Sequence, residues 1–294
     1  MVTFNRRGLL EQTLNSLLAQ SRAIDQIYVV DNASSDTTEE FLSELDNPKI
    51  LWERLPKNTG GAGGFSHGMK WAFNEGHEWI WLMDDDIMQT PTCLQKLLAY
   101  GEGNRVILPT VIDDSGSITG LAMRFNLDDA FQLGFRHQLT NHVYPTINEA
   151  PPVVPIADLS FEGPLIHRSV PATVGFPRAD LFISFDDTEY ALRILRAGIG
   201  PSMMVREAQM IRLAIQPQTY PLWRRYYQFR NELLIRSSYS ASGLMRFRVR
   251  LMFILRTIWG YISRTVSHAE LKMRTSAFID SFAAELPNRY LPGV

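Results

Sequence analysis

Cysteine and long apolar runs are both scarce in this sequence, and each absence excludes a class of protein. The 294 residues include one cysteine, Cys93, so internal disulfides cannot hold the chain together. No stretch reaches the ~18 consecutive apolar residues that a membrane-spanning helix needs. The most apolar stretch, from 251 to 262, is interrupted by Arg256. The first five residues lack the apolar segment of a signal peptide, so we expect a cytoplasmic protein.

Net charge is also small, but it is unevenly distributed. The formal net charge of −2 excludes a protein that binds nucleic acid through overall basicity. Between Trp223 and His268, however, nine arginines accompany one acid, Glu232. Such a segment predicts contact with an anionic surface, and we expect peripheral association with the inner face of the plasma membrane. The alternative is a solvated cationic face over an aromatic core contact.

Strand and helix patterns alternate through the first hundred residues. Apolar, β-rich runs cover 1–4, 27–30, 50–52 and 79–83, and helical spacing covers 8–20, 36–45, a segment ending at 74, and 91–100. This alternation predicts βαβ crossovers and an α/β fold with a mainly parallel, Rossmann-like sheet flanked by helices. A helix is also expected over 186–197, and two or three amphipathic helices from 222 onward, with a break near 240–243.

The chain is therefore expected to have two parts. We predict a nucleotide-binding and catalytic domain over 1–215 and a C-terminal amphipathic helical extension over 216–294. In the first part, ligands should bind beyond the carboxyl ends of the parallel strands. Asp31, a glycine-rich segment starting at Asn58, and an acidic triplet starting at Asp84 all follow predicted strands. Three polar features thus converge on one edge of the sheet.

The acidic triplet, Asp84-Asp85-Asp86, comes directly after five apolar residues. Adjacent carboxylates repel one another, and a hard divalent cation would neutralise them and could bridge two phosphates. Alternation along an extended backbone would point Asp84 and Asp86 the same way, which makes them the metal candidates. The alternative is a solvated acidic turn that caps the next helix.

Two further segments are weaker signals. The glycines of 58–64 could let backbone N–H groups approach an anion, although a flexible connection is equally compatible with them. The segment lacks the lysine of an ATP-binding loop. Asp186 and Asp187 begin a predicted helix, where acids commonly complement the helix dipole. A general base that deprotonates a hydroxyl is the functional alternative.

These segments occur in the order seen in one known family. The motifs are Val2-Thr3-Phe4-Asn5-Arg6, Val29-Val30-Asp31-Asn32, Asn58-x-Gly60-Gly61, Trp81-Leu82-Met83-Asp84-Asp85-Asp86, Phe161-x-Gly163, Phe185-Asp186-Asp187-x-Glu189-Tyr190 and Tyr226-Tyr227-x-x-Arg230-Asn231. Together they resemble family 2 glycosyltransferases over roughly residues 1–235. The pattern is most similar to the galactofuranosyltransferase and rhamnosyltransferase branch.

The resemblance implies a GT-A fold and a nucleotide-sugar donor.

Of the possible donors, UDP-galactofuranose is favoured. The implied positions on the donor side are Thr3, Asn5, Arg6 and Asp31 around the nucleoside, and Asn58, Gly60, Gly61, Asp84 and Asp85 along the rest of the donor. Asp84 and Asp86 would hold a Mn²⁺ or Mg²⁺ ion on the diphosphate. Asp187 would be the base, with Asp186 as the close alternative, and Phe161 and Gly163 would shape the acceptor pocket.

Two departures from the family pattern are visible. The family usually has a longer first strand, and this chain starts inside it, which makes contacts from Thr3 less secure. The family also tends to have a histidine near 204–208 that completes the metal site, whereas here no histidine lies between His167 and His268. Glu207 stands nearest to that position and is the predicted third ligand.

The implied reaction is a single displacement with inversion at the anomeric carbon, and it builds cell-surface polysaccharide on a glycan or lipid-linked acceptor. Transfer of rhamnose from dTDP-rhamnose is the alternative reaction. A non-catalytic module that binds a nucleotide sugar or a glycan is the alternative from another class. Neither composition nor motif spacing distinguishes the three.

Overall fold

Two β-sheets form the centre of the molecule, and helices cover them. The structure is a computed structural model that describes residues 1–113, 116–128, 134–214 and 219–292. Its strands are β1 (Val2–Thr3), β2 (Ile27–Asp31), β3 (Ile50–Arg54), β4 (Trp79–Trp81), β5 (Ile87–Gln89), β6 (Val106–Ile112), β7 (Ala122–Phe125), β8 (Arg136–Leu139), β9 (Val153–Ile156), β10 (Leu165–His167) and β11 (Ser202–Arg212).

The helices follow the predicted order in the first hundred residues. They are α1 (Arg7–Leu18), α2 (Thr38–Glu44), α3 (Gly60–Asn74), α4 (Cys93–Leu98), α5 (Thr140–Val143), α6 (Ser169–Val174), α7 (Asp186–Arg196), α8 (Leu222–Tyr239), α9 (Gly243–Ile262) and α10 (His268–Asp280), with short 3₁₀ turns at Ile147–Glu149 and Ala179–Leu181. In α1, the buried side chains recur at the spacing of one helix face, as Leu10, Leu14 and Leu17.

The sheet topology confirms the α/β prediction, and it shows in addition that one of the two sheets mixes parallel and antiparallel strands. The first sheet has the order β1-β2-β3 and is parallel throughout, as βαβ crossovers require. The second has the order β4-β10-β6-β11-β5, with β9 also on β11, and four of its five pairings are antiparallel. A single parallel bridge between Val2 and Asp84 joins the two sheets. The antiparallel strands come largely from the region after residue 100, where the sequence shows no clear period.

The largest core lies between the second sheet and the helices α3, α6 and α7. Phe65 and Met69 of α3 meet Phe161, Tyr190 and Leu82 there. These side chains are all at most 4% exposed. This core fixes α7, which carries the predicted base, against the loop between β9 and β10.

The C-terminal region forms three helices, and the break between α8 and α9 falls where the sequence predicts it. The predicted domain boundary at residue 215 lies outside the described residues, so the division into two parts stays a prediction. No helix in the described part of the chain is long and apolar enough to cross a membrane.

Candidate active site

The acidic triplet lies in a turn between β4 and β5. Asp85 and Asp86 are buried, and one guanidinium serves both, since Arg6 Nη1 lies 3.2 Å from Asp85 Oδ1 and 2.8 Å from Asp86 Oδ2. The hydroxyl of Thr3 donates a second hydrogen bond to Asp85 Oδ2, at 2.7 Å. Thr3 and Arg6 therefore belong to the same group of interacting side chains as the aspartates.

Asp84 is the exception within the triplet. Its carboxylate receives no hydrogen bond or ion pair from the residues that the structure describes. Burial, reinforced by the charges of Asp86, Asp85 and Glu162, holds the pKa of Asp84 well above its usual range. A carboxylate in such surroundings favours either a proton or a cation.

Two residues that the sequence analysis missed complete this group. Glu162, in the loop between β9 and β10, accepts hydrogen bonds from Arg212 at the end of β11, the nitrogens lying 2.5–3.1 Å from its oxygens. The charges of Glu162 and Asp86 raise the pKa of Arg212, although its burial opposes them. The only sequence signal for this pair was that Glu162 is the charged residue inside the Phe161-x-Gly163 motif. Long-range pairing of β11 with β5 is what brings Arg212 to the triplet.

The charge of this group of side chains suits a divalent cation. When ionised, the four carboxylates of this group exceed its two guanidiniums by two negative charges, which a divalent cation would balance. In the described chain, no three His, Cys, Asp or Glu side chains converge as a metal cage. A Mg²⁺-type ion that is shared with phosphates commonly uses only one or two protein carboxylates. Asp84 and Asp86 fit that arrangement.

The predicted third ligand, Glu207, is not brought to this group. Its side chain is exposed, and its backbone oxygen accepts a hydrogen bond from Lys96 Nζ at 3.1 Å. The metal set of Asp84, Asp86 and Glu207 is therefore corrected to exclude Glu207, because among the described residues no three His, Cys, Asp or Glu side chains form a group that could hold a metal ion.

The predicted nucleoside-side residues form a hydrogen-bonded network among themselves. Asp31 is fully buried and accepts a hydrogen bond from Ser34 N at 2.9 Å, while Arg54 Nε lies 3.7 Å from its other oxygen. Asn5 adopts a φ of 54° and accepts a hydrogen bond from Ser35 N at 2.6 Å. This network shapes the end of the first sheet, and direct contact with a nucleoside stays a prediction.

The glycine-rich segment is the first turn of α3 rather than a loop. Gly60 has a φ of 72°, and a Cβ there would lie 1.9 Å from the carbonyl oxygen of Phe182. The same oxygen accepts a hydrogen bond from Ala62 N, so one helix N–H is already satisfied. Asn58 Oδ1 accepts a hydrogen bond from Gly60 N at 2.8 Å, while a Cβ at Gly61 would make an ordinary contact, 3.9 Å from the ring of Phe65. Close packing explains Gly60, and donor contact at Asn58 and Gly61 stays a prediction.

A second acidic group lies at the start of α7. Burial, followed by the charges of Asp186 and Asp158, holds the pKa of Asp187 well above its usual range. Burial also raises the pKa of Asp186 to about 6. Asp158 is fully buried, and its Oδ2 lies 2.6 Å from Arg136 Nε. A carboxyl whose pKa is raised in this way is suited to accept a proton near neutral pH.

One loop connects the two acidic groups. Residues 157–164 supply Asp158 to the group around Asp187 and Glu162 to the group around Asp84. Four residues of chain span at most about 14 Å, so the two supporting acids cannot lie farther apart than that between their Cα atoms. The arrangement can hold a diphosphate and a cation on one side of the loop and deprotonate a hydroxyl on the other.

The two predicted acceptor residues lie in this loop but serve its packing. Phe161 is 3% exposed and its ring lies 4.7 Å from that of Phe65. Gly163 has a φ of 99°, and its carbonyl oxygen accepts a hydrogen bond from Trp81 Nε1 at 2.8 Å. Phe161 thus holds the loop against α3 and Gly163 holds it against β4, and their contact with an acceptor stays a prediction. A separate cavity of about 250 Å³, lined by apolar residues such as Ile27 and Trp79 and by polar ones such as Asp25 and His77, contains none of the predicted site residues.

Comparison with known proteins shows the fold and the family of this chain. The fold is that of GT-A glycosyltransferases: the structure of GalNAc-T7 with UDP, GalNAc and Mn²⁺ superposes with a TM-score of 0.58 and 15% identity, covering 84% of this chain and 53% of that one. Residues 1–148, half of the chain, match the family described as Glycosyl transferase family 2. The chain belongs to that family.

Two relatives have described activities. Galactofuranosyltransferase GlfT1 of Mycolicibacterium smegmatis is 30% identical over 211 residues, which cover 68% of this chain and 65% of the relative. dTDP-rhamnosyl transferase RfbF of Shigella flexneri is 25% identical over 236 residues, covering 76% of this chain and 75% of the relative. The match to GlfT1 thus spans about two thirds of its length. Both relatives fall in the branch that the sequence motifs indicated.

Proposed function

We propose that this chain is an inverting, metal-dependent glycosyltransferase that moves galactofuranose from UDP-galactofuranose to a hydroxyl of a glycan or lipid-linked glycan in cell-surface polysaccharide synthesis. The observation that carries the proposal is the pair of acidic groups joined by one loop. One group has an excess of negative charge beside Arg6, and the other contains a carboxyl with a raised pKa. The similarity to GlfT1 supports the choice of sugar.

In the proposed reaction, Asp187 accepts the proton of the acceptor hydroxyl. The acceptor oxygen forms a bond to the anomeric carbon on the face opposite the nucleotide, while the bond from that carbon to the diphosphate oxygen breaks, and the configuration inverts. Burial, together with the charges of Asp186 and Asp158, keeps the pKa of Asp187 high, so that it is an effective base near neutral pH. The nucleoside diphosphate leaves with the electron pair of the broken bond.

The donor side of the site would stabilise that leaving group. Arg6 is 46% exposed while it pairs with Asp85 and Asp86, so part of its guanidinium can face a phosphate. A Mn²⁺ or Mg²⁺ ion held by Asp84 and Asp86 would, when bound, offset the charge that develops on the diphosphate. GalNAc-T7, which shares the fold, was solved with Mn²⁺, and this supports the metal proposal.

A donor panel tests the proposal. Release of nucleoside diphosphate is measured with UDP-galactofuranose, dTDP-rhamnose and UDP-GlcNAc, in Mn²⁺ or in EDTA, for the wild type and Asp84→Asn. We expect release from UDP-galactofuranose alone, and its loss in EDTA and in the variant. Equal rates with and without EDTA would contradict the metal proposal.

Two other outcomes select the alternatives. The similarity to RfbF favours rhamnosyl transfer as the second candidate, and turnover of dTDP-rhamnose alone would establish it. Binding of UDP by calorimetry without turnover of any donor would identify a non-catalytic nucleotide-binding module. We further propose that the acceptor is lipid-linked and that the protein works at the cytoplasmic face of the membrane, to which it binds peripherally.

A further inference from the structure

Helix α9 carries a continuous row of exposed apolar side chains. Leu244, Phe247, Leu251, Leu255, Ile258 and Ile262 are spaced three or four residues apart and are 38–67% exposed. Trp259, which is 70% exposed, lies beside them. Residues at this spacing lie on one face of a helix. We call these seven residues the α9 stripe.

The stripe faces away from the rest of the protein. The buried residues of α9 are Val249, Thr257 and Gly260, which lie on the opposite side of the helix. Ring contacts from Phe253 to Phe229 and Phe278 attach that side to α8 and α10. The stripe is therefore an exposed surface on a firmly packed helix, and contiguous apolar surfaces of this size usually mark a binding site.

Several arginines that suggested a cationic face are used inside the protein instead. Arg230 is fully buried and Arg236 is 4% exposed. Arg225 pairs with Glu270, and the guanidinium of Arg250 lies 3.7 Å from the ring centre of Phe282. The main exposed feature of the C-terminal helices is thus apolar, and purely electrostatic contact with lipid headgroups would leave it unexplained.

The charge of α9 favours one occupant. The helix contains four arginines and no acid, and three of them remain besides Arg250, which stacks on Phe282. Two copies that met face to face would bring these like charges together. An anionic bilayer complements the arginines and accepts the apolar side chains. Trp259 and Tyr261, both exposed, belong to the residue types enriched at membrane interfaces. These features are typical of a helix that lies in the plane of the interface.

We propose that α9 lies along an anionic membrane with its stripe inserted at the boundary between headgroups and acyl chains. This deepens the proposed function, on which it rests for the need to reach a lipid-linked acceptor. In this proposal the protein binds the membrane through the inserted apolar side chains of the stripe, and not through surface charge alone. Because α8 packs against both α9 and the loop before Asp186, the membrane surface would have a defined orientation relative to the base.

Co-sedimentation with vesicles of phosphatidylcholine, with or without phosphatidylglycerol, tests the proposal on the full chain at 0.1 and 1 M NaCl. We expect binding to the anionic vesicles that is weakened but retained at 1 M NaCl, because salt screens charges and does not oppose apolar insertion. The double variant Phe247→Ser, Leu255→Ser should reduce partitioning about 100-fold, roughly tenfold for each side chain. The matched control is Leu18→Ser, Leu51→Ser, at residues that are each 43% exposed outside the stripe, and it should bind like the wild type.

Two results would overturn the proposal. One is vesicle binding that disappears at 1 M NaCl and is unchanged in the stripe variant. The other is no vesicle binding, with dimers in light scattering that the stripe variant abolishes, which would make a second copy the occupant. Donor turnover in solution is measured in parallel: vesicle binding through the stripe without any turnover would refute the proposed function and leave this inference standing.

Discussion

The three neighbouring aspartates Asp84, Asp85 and Asp86 have different environments, because Arg6 pairs with only two of them. The sequence suggested that Asp84 and Asp86 point the same way, as on an extended strand. In the structure Asp85 and Asp86 share Arg6, and Asp84 stands apart from that pairing. The chain turns at 85–86 instead of continuing as a strand, so the alternation of an extended backbone does not apply there.

The base assignment leads to a prediction about one side chain. Asp187→Asn removes the group that accepts the proton, and we expect kcat to fall about 10²- to 10⁴-fold. The same change removes a buried carboxyl whose charged form is disfavoured, so the variant should be more stable than the wild type at pH 7.5. Steady-state kinetics and thermal unfolding measure the two effects.

Asp25→Asn is the control for this variant, because Asp25 is an exposed aspartate remote in sequence from both acidic groups. It should change neither kcat nor stability appreciably. Full activity in Asp187→Asn would refute the assignment. A loss of activity accompanied by lower stability would indicate that Asp187 is needed for folding rather than as a base.

At the scale of elements, α8 holds the segment that leads into α7. Phe182, Ser184 and Phe185 all have positive φ values of 64–67°, a conformation that costs of order 1 kcal/mol or more per residue. Asn231 of α8 compensates for this by donating hydrogen bonds to the carbonyls of Leu181, Ile183 and Ser184. Helix α8, whose sequence suggested a cationic surface, therefore supports the segment that carries the proposed base.

Asn231→Ala should loosen that support. We expect a loss of roughly 2–4 kcal/mol in the free energy of unfolding, since buried carbonyls lose their donor. In the folded variant kcat should fall more than the affinity for UDP, because the aspartate turn that is proposed to face the donor is not touched. Urea unfolding, kinetics and UDP calorimetry measure the three quantities. Gln228→Ala, on the same helix and partly exposed, should leave all of them unchanged, and equal effects at both positions would contradict the proposed support.

For the whole molecule, buried carboxyls make stability depend on pH in an unusual direction. Burial raises the pKa of Asp85 and of Asp186 from 3.8 to about 6, so the folded state holds these protons more tightly than the unfolded chain. Their stabilising contribution is present below about pH 4 and is lost as pH rises through about 6. Hydrogen bonds and ion pairs lower the pKa of Asp280 and Glu270, whose contribution is instead lost as pH falls through the acid range.

Stability should therefore be greatest between about pH 4 and 6 and lower at pH 7.5. The shift of Asp186 alone corresponds to roughly 3 kcal/mol, or several degrees in Tm. Thermal unfolding over pH 4–8 measures this, and Asp186→Asn should flatten the profile. Mn²⁺ should raise Tm more at pH 7.5 than at pH 5, since the ion competes with protons for the same carboxylates. A Tm that rises steadily from pH 5 to 8 without metal would contradict the prediction.

Local pattern was sufficient to predict much of the fold. The apolar runs before Asp31 and Asp84 predicted the strands β2 and β4, and the spacing of Leu10, Leu14 and Leu17 predicted α1. The family motifs then indicated the glycosyltransferase class, which the comparisons confirm. The strands, helix α1 and the motifs could be predicted because each depends only on the spacing and type of residues that are close together in the sequence.

What the sequence by itself determined is thus the class of protein, the order of its early elements and the acidic turn. Only the tertiary structure brought Glu162 and Arg212 to that turn, moved Glu207 away from it, and placed Asp158 beside Asp187. It also turned several arginines inward and left the α9 stripe exposed. The physical reason is that these contacts depend on strand register and on the packing of helices between residues that are distant in the sequence. The local periodicity of the sequence contains no information about such contacts.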